Sequence, residues 1–396
     1  MRILQINSVY DYGSTGKIVK SIHDHLLSNN VDAYVIYGRM GAVGDQKKEV
    51  KDEHVFYINN NLEADYHLIN SVIFDKHGLY SRRNTQRIIE KIKEIKPDVI
   101  HLHNIHGFYL NYRDFFAFLK ETKIPVVWTL HDCWAYTGFC SYYDYNECDG
   151  FKTGCKNCRF KNVYPYKLFN HAAQNFEIKE KSFLGLKNLT IVTPSNWLAN
   201  EVKMSFLKGY PIQTIHNDID LNSFSYKNNF ELLKKHNISN RKVCLAVSNV
   251  WTSQKGYLEY MKLSEILPDD WVLVMIGLTE KQLAKLPKNV IGIARTSSKE
   301  ELAQWYSTAD VFVNLSLEDN YPTVNIEAQA CRLPIIGYKT GGMVEQLIDQ
   351  DYLVEKYDLN GVVNLLKNTN FSKSNHCFKN DMMNEYMNLY SRVIEK

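Results

Sequence analysis

The sequence is short of several things at once. No stretch approaches the roughly eighteen consecutive apolar residues of a membrane-spanning helix, so none is expected. The opening residues Met1-Arg2-Ile3-Leu4-Gln5-Ile6 mix polar and apolar side chains and lack the apolar centre of a secretory signal. A soluble, cytoplasmic protein is the expectation. Charge of one sign is not in excess: 47 basic and 44 acidic residues leave +3, which offers no case for nucleic-acid binding. Internal repeats and low-complexity linkers are missing too. The common nucleotide fingerprints are incomplete. Gly13 and Gly16 stand ahead of Lys17, but position 11 is aspartate, Ile18 follows the lysine, and only two glycines occur. The segment is therefore neither a P-loop nor a dinucleotide fingerprint. A tight β–α turn accounts for both glycines about as well as a ligand does.

What is present is length and alternation. A chain of 396 residues is too long for one ordinary core and suits two α/β domains. Strand-like runs (Arg2 to Val9, Val31 to Tyr37, Asp98 to Asn104, Pro125 to Leu130, Leu189 to Pro194, Tyr210 to His216) alternate with helical patterns. These include Ile18 to Ser28 and Asn84 to Lys96, and such alternation predicts parallel sheets with right-handed crossovers. The stretch from Gly41 to Ser81 has no clear period. A second β-α series opens at Lys242 and runs through Trp271 to Ile276 and Val290 to Ile293.

The most informative stretch is Leu315 to Gly342, LSLEDNYPTVNIEAQACRLPIIGYKTGG. The apolar run Val311 to Leu315 reads as a buried strand leading into it, followed by an acidic loop, a helix opening at Pro322, a strand from Leu333 to Tyr338, and a glycine turn. Asp319 falls at a strand's carboxyl end, where open α/β sheets bind ligands. Glu327 is expected near the start of the helix, where backbone amides and the dipole favour an anion. A capping box does not explain Glu327, because Ile326 and Thr323 put the hydroxyl four positions away rather than three. Two acids framing a helix N-terminus suit a sugar nucleotide: carboxylates for hydroxyls, amides for phosphates. His103 and Asn104 end one strand of the first series and His131 and Asp132 end another, so one sheet edge gathers two histidines, an amide and an acid.

The acidic stretch resembles the E-x7-E motif of the family-4 retaining glycosyltransferases, which have the GT-B fold. Asp319 takes the first acidic place here, with Glu318 beside it; either acid could face the sugar, and spacing favours Asp319. Further segments are similar to that family. Thr129-Leu130-His131-Asp132 matches the strand end that places a histidine near the donor sugar. Asn217-Asp218-Ile219-Asp220 matches the N-G-I-D turn joining the two halves, where aspartate in place of glycine suits a positive φ. Lys255-Gly256 matches the phosphate grip, although Val250 stands where the usual arginine would be. The resemblance implies two Rossmann-like domains facing across a cleft. Residues 1–216 form the acceptor side, with a Cys-rich insert at 133–162. Residues 217–374 hold the nucleotide sugar, and the helix at 375–396 returns to the first domain.

The resemblance also implies site residues. Asp319, Glu327 and His131 act on the sugar and ribose. Lys255, Gly256, Arg295, Glu318, Asn320, Tyr321, Pro322, Thr323, Val324, Gly13 and Gly16 line the donor, while His103, Asn104 and Asp132 serve the acceptor side. More narrowly, the combination is similar to enzymes of bacterial capsule, colanic-acid and exopolysaccharide assembly. The implied reaction moves a hexosyl unit from a nucleoside-diphosphate sugar, with retention, to a saccharide acceptor carried on a lipid. No cofactor is required for such chemistry. A sugar-nucleotide epimerase, a phosphorylase or a non-enzymatic sugar-binding subunit are the alternatives.

Two segments stand outside this reading. Cys140, Cys148, Cys155 and Cys158 lie within nineteen residues. A Cys-x-x-Cys pair with two further thiols suits structural zinc, and equally suits reduced thiols packed among tyrosines. Arg82, Arg83, Lys91, Lys93 and Lys96 form a basic stretch that suits peripheral contact with an inner membrane leaflet, or a solvated helix face.

Overall fold

The structure, a computed structural model, describes residues 1–41, 50, 52–58, 61–159, 167–227, 231–347, 352–373 and 381–395. The chain divides into two compact units, Met1–His216 with Asp381–Lys396, and Asn217–Asn380. The boundary expected at 374–375 and the last residues of the 133–162 insert lie outside the described residues.

The first unit is built on a seven-stranded parallel sheet. Its strands are β1 (Arg2–Val9), β2 (Asp32–Arg39), β3 (Val55–Tyr57), β4 (Val99–Leu102), β5 (Val126–Thr129), β6 (Leu189–Thr193) and β7 (Ile212–Thr214), in the order β3-β2-β1-β4-β5-β6-β7. β4 and β5 are buried along their whole length, as strands covered on both faces by helices must be. The strand order reverses between β1 and β4. The carboxyl ends on either side of that point are where such sheets hold ligands.

The second unit has six parallel strands: β8 (Lys242–Val247), β9 (Trp271–Ile276), β10 (Val290–Ile293), β11 (Val311–Asn314), β12 (Ile335–Tyr338) and β13 (Leu353–Val354). Their order is β10-β9-β8-β11-β12-β13, so the reversal falls between β8 and β11. With two parallel sheets of this winding the fold is GT-B.

The C-terminal helix, Met382–Ile394, packs on the first unit. Met382, Tyr386, Leu389, Tyr390 and Val393 share a core with Ile3, Ile22, Val99, Val127 and Val192. Two of its tyrosines make buried polar contacts. Tyr386 Oη pairs with Thr129 Oγ1 at 2.9 Å, and Tyr390 Oη with His101 Nδ1 at 2.7 Å.

Several local expectations shift. The first helix starts at Gly13 rather than Ile18, so both glycines lie in its first turn. A Cβ on Gly16 would crowd Val9 and the Asp11 amide, so this glycine lets the helix sit close to the end of β1. The stretch 41–81, unassigned from pattern, contains β3 and a helix, Asn61–Phe74. That helix buries the polar His67 and Ser71 and exposes Leu62, Tyr66 and Ile69, which inverts the period that reveals an amphipathic helix. Asp218 does not take a positive φ. Its carboxyl is buried instead, and burial pushes it up to about 7 against a hydrogen bond from the Ile219 amide.

Candidate functional site

In the second unit three loops meet at the β8–β11 reversal. The loop after β8 carries Lys255-Gly256 into the helix Tyr257–Ile266. Gly256 has φ 74°, and a Cβ there would strike the Leu315 carbonyl, so only glycine fits. The Leu317 amide donates to the Gln254 carbonyl at 2.8 Å, and Gln254 Nε2 donates to the Glu318 carbonyl at 3.0 Å. These bonds pin the lysine loop to the acidic loop. Lys255 Nζ and Asp319 Oδ2 then stand 2.5 Å apart, with both side chains mostly buried. The third loop, after β12, closes from the other side. A side chain on Gly341 (φ 51°) would strike the Asp319 carbonyl, which accepts from the Gly342 amide at 3.0 Å.

The helix Thr323–Ala330 follows the acidic loop, with Pro322 as its N-cap and no side-chain cap hydrogen bond from that residue. A proline there fixes the chain's entry but supplies no cap, which leaves the helix N-terminus an anion site. Glu327 sits mid-helix rather than in the first turn, and Tyr306 Oη donates to its Oε2 at 2.9 Å. Tyr306 is fully buried, so this bond sets the direction of the carboxylate. Glu318 is completely buried, and Asn320 and Tyr321 nearly so. The Tyr321 carbonyl accepts from Asn217 Nδ2 at 3.3 Å and the Pro322 carbonyl from Gln346 Nε2 at 3.0 Å. Thr323 and Val324 are half-buried in the first turn. Arg295 is exposed in the loop after β10, an edge strand separated from β8 by β9.

In the first unit, β1, β4 and β5 bring a line of polar side chains to their carboxyl ends. His103 Nδ1 lies 3.0 Å from His131 Nε2, with the rings stacked at 5.3 Å between centroids. His103 Nε2 lies 3.1 Å from Gln5 Oε1, and Gln5 Nε2 donates to the Val19 carbonyl at 3.1 Å. The order of donors follows. Gln5 offers its oxygen to His103 Nε2–H, which leaves His103 Nδ1 to accept from His131 Nε2–H. Burial lowers the His131 pKa to about 4, against the pull of Asp132, so the ring is neutral at pH 7. Burial alone would raise the Asp132 carboxyl. His106, at 2.9 Å, and the Trp134 amide reverse that and hold it below the usual carboxylate range. The Asn104 amide donates to Asn7 Oδ1 at 3.1 Å. Gly13 (φ 63°) begins the helix beside these strand ends, and a Cβ on it would meet nothing within 4 Å.

Comparison with known proteins decides the family. Residues 16–223, more than half of the chain, match the family described as Glycosyltransferase Family 4, and residues 228–380 match Glycosyl transferases group 1. The chain belongs to glycosyltransferase family 4. It is 24% identical over 344 residues to the putative colanic acid biosynthesis glycosyl transferase WcaC of Escherichia coli K12, covering 85% of this chain and 82% of that one. Among solved structures it superposes on a glycosyltransferase from Rickettsia africae with TM-score 0.69 at 16% identity, over 100% of this chain and 99% of the other. It also superposes on Anabaena Alr3699/HepE in complex with UDP-glucose, with TM-score 0.60 at 15% identity, over 93% and 89% of the two chains. These structural likenesses concern the fold.

The glycosyltransferase thus brings Lys255, Gly256, Glu318 and Asp319 together, and separately His103, His131, Asn104 and Asp132. Pattern reading missed Tyr306, Gln5 and His106, which bond to Glu327, His103 and Asp132. Only Gln5 carried a local signal, as an amide in the middle of an otherwise apolar strand. Cys140, Cys148, Cys155 and Cys158 lie in an insert after β5 whose described residues form only short 3-10 turns, and no disulfide joins them.

Proposed function

We propose that this glycosyltransferase moves a hexosyl unit from a nucleoside-diphosphate sugar to a saccharide acceptor, with retained anomeric configuration, in bacterial surface polysaccharide synthesis. The observation that carries the donor assignment is the Lys255–Asp319 pair at the β8–β11 reversal, beside a helix N-terminus whose N-cap, Pro322, makes no side-chain cap hydrogen bond. Negative charge develops on the departing diphosphate. An ammonium and oriented amides stabilise it most where water is excluded. Lys255 and the amides of Tyr321 to Val324 take that part, Asp319 the sugar hydroxyls, and Glu327 the ribose. Gly13, Gly16 and Arg295 stay assigned to the donor, with His131 on the sugar and His103, Asn104 and Asp132 on the acceptor side. No cofactor takes part in the transfer. The UDP-glucose bound by the Anabaena relative and the colanic-acid role in the WcaC name support this reading.

The acceptor is carried on a lipid, and the protein touches the inner leaflet of the cell membrane from the cytoplasmic side. Leu62, Tyr66, Ile69 and Phe74 are exposed on one helix, and Leu168 and Phe169 are exposed beside it, where the Leu168 amide bonds the Val72 carbonyl at 2.8 Å. Exposed Arg82 and Arg83 begin the next helix, whose Asn84 amide contacts Glu63. Apolar side chains flanked by cations suit an anionic bilayer surface.

The deciding experiment is a thermal-shift screen of nucleotides and sugar nucleotides. It is followed by turnover of the stabilising donor with a lipid-linked saccharide, without acceptor, and with phosphate. Transfer that requires the saccharide and keeps the anomeric configuration supports the reading; epimerisation without acceptor or phosphorolysis overturns it. Flotation with anionic vesicles tests the membrane contact, and Leu62→Ser with Ile69→Ser is expected to abolish it.

A further inference from the structure

The helix Thr323–Ala330 turns a polar face to the core. Asn325 and Gln329, four positions apart and therefore on one side of it, are both buried. So are Asn314, which ends β11, and Gln346, the last residue of the short helix Met343–Gln346 after the Gly341-Gly342 loop. Four uncharged amides thus fill a place where aliphatic side chains would pack without needing partners. A buried amide is costly unless it is bonded, and these are bonded in sequence. The Ser316 amide donates to Asn314 Oδ1 at 3.1 Å, and Asn314 Nδ2 to Asn325 Oδ1 at 2.7 Å. Asn325 Nδ2 donates to Gln346 Oε1 at 3.0 Å, and Gln346 Nε2 to the Pro322 carbonyl at 3.0 Å. Gln329 Nε2 donates to the Gln346 backbone carbonyl at 2.5 Å. Every link of the chain from Ser316 to Pro322 runs in the same direction. No amide in it can flip without breaking two bonds, and each bond polarises the next.

The chain ends on one peptide, and that peptide opens the helix at the donor site. The Pro322 carbonyl accepts from the Asn325 amide, three residues on, at 3.2 Å, the long bond of a tight first turn. Gln346 Nε2 reaches the same oxygen at 3.0 Å and holds it more closely than the helix itself does. A trans peptide points its N–H and C=O opposite ways. Drawing the Pro322 oxygen toward Gln346 therefore aims the Thr323 N–H the other way, out of the helix N-terminus. Proline has no N–H, so Thr323 supplies the first amide of this helix. Gln346 also follows the glycine loop whose Gly342 amide holds the Asp319 carbonyl at 3.0 Å. One side chain thus ties the leading amide of the helix to the loop that backs the Lys255–Asp319 pair.

We propose that Gln346, at the end of the Asn314–Asn325–Gln346 chain, is a positioning residue for the donor's diphosphate: it aims the Thr323 amide at the phosphate oxygens. This rests on the donor site proposed above and deepens it. Uncharged amides suit the task. A carboxylate at this depth would set a negative charge behind the helix N-terminus and oppose the anion, and an aliphatic side chain would pack there but direct nothing. Both amide atoms of Gln346 are committed within the core, so it acts on the phosphate only through the Pro322–Thr323 peptide.

The test uses the full chain and inorganic pyrophosphate, which carries the phosphates without base or sugar, beside the nucleoside and nucleoside diphosphate selected by the thermal-shift screen. Gln346→Met removes both amide atoms at similar size. Gln346→Asn keeps the amide but is one methylene too short to reach Asn325 and the Pro322 carbonyl together. Leu232→Ala, a core truncation in the helix Glu231–Lys235 of the same unit, controls for lost stability alone. By calorimetry both Gln346 variants are expected to bind pyrophosphate and the nucleoside diphosphate about fivefold more weakly, the ordinary weight of a helix N-terminus on an anion. They are expected to bind the nucleoside as tightly as wild type, and Leu232→Ala to bind all three so. Pyrophosphate is also expected to move the Thr323 amide resonance of the wild type, and to move it less in Gln346→Asn. Unchanged pyrophosphate affinity in a folded Gln346 variant, or nucleoside affinity lost in equal proportion, overturns the positioning role. So does a wild-type Thr323 resonance that bound pyrophosphate leaves in place, whether or not the variants fold. A wild type that binds neither pyrophosphate nor nucleoside diphosphate overturns the donor reading itself.

Discussion

Lys255 Nζ and Asp319 Oδ2 stand 2.5 Å apart, although 64 positions separate them in sequence. The lysine lies in the loop after β8 and the aspartate in the loop after β11, so the pair bridges the two strands between which the sheet order reverses. The pairing joins two roles that pattern reading kept apart, a cation for phosphate and an acid for sugar. Each holds the other in place before a donor arrives, and less side-chain freedom is then lost on binding.

Removing either partner leaves the other with a mostly buried, uncompensated charge. Lys255→Ala and Asp319→Ala are each expected to lower kcat/KM for the donor by at least about tenfold, corresponding to roughly 1.5–3 kcal/mol for a bond to a charged group. The double variant should lose less than the sum of the two, because the second change removes a charge already unpaired. Steady-state kinetics of the three variants check this, and full additivity would refute the coupling.

Glu327 is aimed by Tyr306. Tyr306→Phe removes one hydroxyl from a buried site and is expected to weaken nucleotide binding by a few-fold, about 1 kcal/mol. Glu327→Gln is expected to do more, because it also removes the charge. Calorimetric titration with the nucleoside diphosphate measures both; equal affinities in wild type and Glu327→Gln would dismiss the ribose role.

The Gln5–His103–His131 line fixes a proton. His131 is expected to be the neutral Nε2–H tautomer, read from nitrogen chemical shifts of labelled protein. Gln5→Leu removes the acceptor that orients His103, and the His131 shifts are expected to move toward a mixture of tautomers with a fall in kcat and little change in KM. Shifts identical to wild type would show that the line does not set the tautomer.

Acid stability carries the signature of buried neutral histidines. Burial lowers His67 to about 3 and His131 to about 4, and holds His77, His101 and His103 well below the ordinary value. Above about pH 6.5 neither folded nor unfolded chain binds these protons, and stability is unaffected. Below it the unfolded chain takes them up and the folded one does not, so stability falls with pH. The expected slope is about 1.4 kcal/mol per pH unit for each histidine. Denaturant midpoints at about pH 7.5, 6 and 5 measure it, and a flat profile would mean that these rings are protonated in the fold.

The sequence by itself determined the alternation of strand and helix, because parallel strands buried on both faces must be apolar runs and their crossovers must be periodic helices. Val99–Leu102, Trp271–Ile276 and Val311–Asn314 were legible for that reason. The ends of those strands were legible too: a polar residue after an apolar run marks where the chain leaves the sheet, and His103, His131, Lys255 and Asp319 stand at such exits or in the loops just beyond. The helix Asn61–Phe74 was not legible, because it buries His67 and Ser71 and exposes Leu62 and Ile69, against the pattern a core imposes. Only the tertiary structure decided partners. Tyr306 meets Glu327, Gln5 meets His103, and Lys179 meets the carbonyls of the cysteine insert through contacts that depend on strand order, which no local period encodes. Side-chain type is set by the local environment of one segment. Pairing is set by which segments the sheet brings side by side.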